Sequence, residues 1–151
     1  MITSSKEGTI TDNGIPRVLL IARILTVIET VRLAGLLLFS EFQAGIFPAY
    51  FAIPFGIGDV FIGLTAIPFA YLLGKGGPRR YALAIAWNFV GLIDLLYAFA
   101  VAAYGGVTQA ISTYLPSVLV VVPISILVHV MILALLLTKP TSRFFMKNQI
   151  P

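Results

Sequence analysis

Between Ala49 and Leu73 the chain carries one charged side chain, Asp59, in a mainly apolar run punctuated by Gly56, Gly58, Gly63, Pro54 and Pro68. An ionised carboxylate buried in hydrocarbon without a partner is so unfavourable that it takes up a proton, finds a cation or lines a wet cavity. Whatever this chain folds into must therefore bring something to Asp59. The length of the run indicates the surroundings, because about 20 mainly apolar residues in a helix cross a hydrocarbon core of about 30 Å.

Three further runs have the same character, and together they predict an all-α integral membrane four-helix bundle with spans at about residues 17–39, 49–73, 81–104 and 116–137. The bulk figures agree. Of 151 residues, 59% are hydrophobic and 11% charged, and the mean hydropathy of +1.01 is far from that of a water-soluble domain. Four spans with short connections leave no room for a sizeable soluble domain. Residues 1–16 read as a flexible polar tail and 140–151 as a basic C-terminal tail. The first apolar run begins too far into the chain, runs too long and lacks the small-residue cleavage site of a signal peptide, so it is expected to stay as a helix opened by Pro16. Prolines inside a helix remove hydrogen bonds, so the second helix is predicted to be kinked or briefly broken near Pro54. The absence of cysteine excludes disulfides, thiolate metal sites and cysteine nucleophiles.

Charge placement gives an orientation. Apart from Arg23 and Arg32, the basic residues are Lys6, Arg17, Lys75, Arg79, Arg80, Lys139, Arg143 and Lys147, while residues 40–47 and 105–115 contain none. The positive-inside rule then places both termini in the cytoplasm of a bacterial-type inner membrane. These cations are expected to meet anionic lipid headgroups and not nucleic acid, because they flank apolar runs and are not interleaved with aromatic side chains.

Helical rise converts position into depth. Measured from the cytoplasmic ends, Glu29 falls at about 18 Å, Arg32 at about 22 Å, Asp59 at about 21 Å and Asp94 at about 20 Å. Three acids and one arginine from three helices thus share a layer, with Tyr97 nearby as a hydroxyl donor. If all are ionised the layer carries a formal charge of −2, a surplus to be relieved by a proton or a cation. A second polar layer is expected nearer the cytoplasm, with Arg23 at about 9 Å, Asn88 at about 10 Å and His129 at about 12 Å. Each of these also has a plain structural reading: Arg23 snorkelling to the headgroups, Asn88 bonding between helices, and His129 as a hydrogen-bonded core residue, not a haem or metal ligand. Glu29 and Arg32, at i and i+3, can equally pair to fix helix packing.

No phosphate-binding loop, nucleophile elbow or His-Glu-x-x-His helix is present, and no metal or cofactor is expected. The expected function is that of a small membrane transporter, or proton- or cation-binding protein, built on the buried carboxylates. Four helices make a thin wall, so a homo-oligomer is expected. The alternatives are a membrane enzyme doing acid–base isomerisation or cyclisation of a lipophilic substrate, with a carboxylate as acid, and an accessory subunit of a larger membrane complex whose polar layer is structural.

Overall fold

A computed structural model describes residues 14–147, and all the regular structure in them is helical. In chain order the helices are α1 (Arg17–Ile28), a 3-10 segment (Glu29–Gly35), α2 (Leu36–Gln43), α3 (Ala49–Leu73), α4 (Pro78–Tyr104), α5 (Thr108–Tyr114), α6 (Val118–Leu136) and α7 (Lys139–Met146). Three of them, α3, α4 and α6, are long and apolar enough to cross a membrane. Their outward faces are apolar too: Leu64, Ile67, Ile93, Phe99 and Leu127 are each more than half exposed, the pattern of helices solvated by lipid.

The first apolar run is irregular where a plain helix was expected. Its middle turns tighten to 3-10 geometry, with three residues per turn and side chains at i and i+3 eclipsed. The buried positions follow that period, since Thr26, Glu29, Arg32, Gly35 and Leu38 form one inward file. The predicted break at Pro54 is absent. α3 runs continuously through Pro54 and Pro68, because a proline in the second turn forfeits one backbone bond near a helix start and the helix reforms around it.

Helix extends into three stretches expected as loops or a tail. α2 continues to Gln43, α5 lies within the basic-free loop, and α7 occupies most of the described part of the predicted basic tail. α7 folds because Thr141 and Phe145, four residues apart, make a buried face. Phe145 stacks on Tyr81 of α4 with ring centroids 5.0 Å apart, its carbonyl accepts the Gly77 amide at 3.1 Å, and Lys139, Arg143 and Lys147 stay on the exposed side. α4 begins at Pro78, in the first-turn position that proline favours. The predicted tail of residues 1–16 lies largely outside the described residues.

α3 packs along α1, the 3-10 segment and α2; α4 packs on α3 and α6; α6 returns to α1. Two larger apolar cores result, besides a small cluster of Ile62, Ala66 and Trp87. One, at the end with the basic residues, gathers Leu19, Ala22, Leu73, Ile132, Leu136 and Phe145. The other, at the opposite end, gathers Leu38, Phe51, Phe55, Ile111 and Leu115. Glu29, Arg32, Asp59 and Asp94 lie between them.

Candidate functional site

The 3-10 segment sets the site. Eclipsed side chains put Glu29, Arg32 and Gly35 in register on one face, so that Arg32 points at α3 and α4 while Gly35 lets α3 come close beneath it. Arg32 Nε donates to Asp59 Oδ1 at 2.7 Å, and Nη2 bridges Asp59 Oδ1 at 2.6 Å and Asp94 Oδ2. The third nitrogen, Nη1, faces the Gly91 carbonyl at 3.4 Å and His129 Nε2 at 3.5 Å. Arg32 is buried, and its guanidinium donors are directed at protein acceptors on three helices.

Glycines make the room. A methyl group at Gly35 would collide with Asp59, one at Gly58 with the Asp94 carboxylate, and one at Gly91 with the His129 ring. Elsewhere on α3, Gly63 admits the Leu33 backbone, with the Leu33 amide nitrogen 2.8 Å from where a methyl would sit. Asp59, Asp94 and His129 therefore each occupy space that a glycine leaves on a facing helix, as small residues allow between membrane helices.

His129 joins the two expected layers into one network. Asn88 donates through Nδ2 to its own helix at Ala84 O, 2.8 Å away, which leaves Asn88 Oδ1 to accept from His129 Nδ1 at 3.1 Å. With Nδ1 donating, Nε2 is the nitrogen that accepts in the neutral ring and donates in the protonated one, and it faces both Arg32 and the Glu29 carboxylate, whose Oε2 is 3.4 Å away. Glu29 and His129 are both 0% exposed, and neither Glu29 oxygen has a hydrogen bond of ordinary geometry among the described residues. Ser125, one turn before His129 on α6, is also buried on that face. Trp87 closes the network from the side, its ring 5.6 Å from His129 and its indole N–H bonded to Thr65 Oγ1 at 2.8 Å.

A cavity of about 80 Å³ adjoins the network. Arg32, Asp59 and Ser125 lie at its inner end. Leu37, Phe55, Val118 and Val122 line its sides, and Ile111 and Leu115 of the α5 region its outer end. It exists because α6 packs on α1 and α4 but not closely on α2. A second cavity of about 150 Å³ between α4 and α6 shares Phe51, Ala98, Val118 and Val122 with it.

A family described as a domain of unknown function, DUF8737, matches residues 19–137. The chain belongs to this family. The matched region runs from within α1 to the end of α6 and contains the whole ion network, while α7 lies beyond it. No curated protein and no solved structure matches the chain.

The structure thus gathers Glu29, Arg32, Asp59, Asp94, Asn88 and His129, and leaves out two residues the sequence had grouped with them. Tyr97 is 60% exposed and packs its ring on Phe55 of α3, outside the network, although it follows Asp94 by only three positions on α4. Arg23 does not join the ion network. Its Nε donates to Ala70 O at 2.9 Å, one of the carbonyls left without an intrahelical partner at the end of α3. Ser125, Gly35 and Gly58 were missed. Ser125 was discoverable, lying four residues before His129 and hence on the same face of α6. Among the described residues no three His, Asp or Glu side chains are grouped to hold a metal ion.

Chemically, Arg32 is saturated by Asp59 and Asp94, so Glu29 must be balanced by something else. With His129 Nε2 beside it, one proton serves the pair from either side: on the carboxyl it is donated to the imidazole, and on the imidazole it is donated to the carboxylate.

Proposed function

We propose that this chain is a small membrane transporter that binds a proton or cation at the Glu29–His129–Arg32–Asp59–Asp94 network. In this reading the helical run of residues 17–43 is a fourth span beside α3, α4 and α6, and both termini face the cytoplasm of an inner membrane, where the basic turn at 74–80 and the exposed cations of α7 meet anionic headgroups. The observation that carries the reading is the state of Glu29. Among the described residues it is a fully buried carboxylate without an ordinary hydrogen bond, next to a histidine, in a site whose guanidinium already serves two aspartates. An intramembrane acid of this kind calls for a mobile positive partner, and a proton or cation that comes and goes is the basis of coupled transport.

The test is proton movement in proteoliposomes loaded with a pH dye and driven by gradients of a panel of inorganic and organic cations. The wild-type protein gives cation-dependent proton flux, and Glu29→Gln, Asp59→Asn and Asp94→Asn each reduce it by about tenfold or more. Wild-type flux in all three variants rejects the reading.

One observation favours a second reading. The cavity next to Asp59 is lined mainly by apolar side chains, as a site for a lipophilic substrate would be, with Asp59 as the acid of an isomerase or cyclase. That reading predicts a lipid or isoprenoid bound to the purified protein and converted by it, with turnover lost in Asp59→Asn.

A further inference from the structure

The cavity beside Asp59 combines features that together specify a ligand. Its walls are apolar, with Leu37 and Leu38 from α2, Val118 and Val122 from α6, and Phe51 and Phe55 from α3. Its inner end is charged. Phe51, Phe55 and Asp59 follow one another at intervals of four on α3 and all three line the cavity, so one helix face offers two aromatic rings leading to a carboxylate.

The sign of the charge follows from how the two ions at that end are used. Arg32 directs Nε, Nη1 and Nη2 at Asp59, Gly91, His129 and Asp94, and its side chain is 2% exposed, so little remains with which to hold an anion. Asp59 is the reverse. Its side chain is 24% exposed, it meets Arg32 through Oδ1 alone, and it belongs to a network with more acids than bases. A cation placed there meets a carboxylate at one end and aromatic rings beside it, an arrangement that attracts ammonium groups, whereas an anion meets net negative charge. The cavity ends inward at the ion network, beyond which Leu19, Ala22, Ile132 and Leu136 fill the bundle, so a ligand enters from the α5 end or laterally between α2 and α6.

We infer that this cavity binds a lipophilic organic cation, an ammonium carried on a slender apolar body, with the charge against Asp59 and the body between α2 and α6. The assignment deepens the transport reading and rests on it only in making this cation the cargo. The adjoining cavity shared through Phe51, Ala98 and Val122 gives a longer body somewhere to extend.

The test is equilibrium binding of radiolabelled decyltrimethylammonium to the full chain in lipid nanodiscs, with empty nanodiscs subtracted and decanol and decanoate as neutral and anionic competitors. Saturable binding is expected, displaced poorly by decanol and decanoate. It should weaken about tenfold or more in Asp59→Asn, which removes the charge, and in Val122→Phe, which fills the cavity without touching the network. Equal binding by wild type and both variants, or preferential displacement by decanoate, overturns the assignment. Cation-dependent proton flux measured on the same proteins in sealed proteoliposomes separates the two claims. Flux that persists in the wild type and is lost in Glu29→Gln, without ammonium binding, overturns the cavity assignment alone, and the absence of both overturns the transport reading with it.

Discussion

Arg32 Nε lies 2.7 Å from Asp59 Oδ1, a contact between residues 27 positions apart that fixes the register of the first helical run against α3. The same guanidinium reaches Asp94 on α4, so one side chain ties three helices together at one depth. Removing it leaves two partly buried carboxylates without a counter-charge, and losing one partner of a buried ion pair typically costs about 3–5 kcal/mol. Arg32→Met should therefore strongly lower the thermal midpoint of the protein in detergent. Asp59→Asn should lower it less, since Arg32 keeps Asp94. Combining Arg32→Met with Asp59→Asn and Asp94→Asn should recover much of the loss. An Arg32→Met protein as stable as wild type contradicts this account of the network.

The facing glycines make a steric prediction. Gly91→Ala drives a methyl into the His129 ring and Gly58→Ala drives one into the Asp94 carboxylate, and overpacking of this kind costs about 1–3 kcal/mol. Gly74→Ala is the comparison. Its methyl would meet the end of the Arg23 side chain at 3.1 Å, which can swing aside, so the loss there should be smaller. Thermal unfolding of the three variants ranks them, and a Gly74→Ala loss as large as the other two contradicts the placement.

Phe145 holds α7 under the bundle, 0% exposed and stacked on Tyr81. Phe145→Ala should cost about 3–5 kcal/mol by emptying that site. Amide exchange read by mass spectrometry should show α7 losing protection ahead of α3 and α4. Unchanged protection in α7 contradicts a docked helix.

The proposed orientation is open to direct labelling, because the natural chain has no cysteine to remove. With a membrane-impermeant maleimide, Thr113→Cys on α5 should react in intact cells and Lys75→Cys only after lysis. The opposite pattern reverses the orientation.

Much of this arrangement was legible in the sequence because helical rise is nearly constant. Depth alone put Glu29, Arg32, Asp59 and Asp94 at one level. What depth does not carry is rotation about the helix axis and side-chain reach. Tyr97 lies within one turn of Asp94 yet is exposed at the rim, and Arg23 is engaged by a helix-end carbonyl. Arg32 spans the gap that separated the two expected layers, meeting the Gly91 carbonyl and His129 as well as the aspartates. The 3-10 segment was not legible at all, since no proline marks it and Glu29–Gly35 reads as ordinary helix; the period of three is set by what must face inward. In α7, charge masked fold: Lys139, Arg143 and Lys147 made the segment look like a tail although Thr141 and Phe145 supply a buried face.

The most direct test of the central claim compares cation-driven proton flux in proteoliposomes of wild type and Glu29→Gln, alongside the thermal midpoint of each. Gln keeps the shape of the side chain and removes the buried charge that Arg32 is not free to balance. The account predicts flux reduced by about tenfold or more with the thermal midpoint unchanged or raised. Wild-type flux in Glu29→Gln contradicts it.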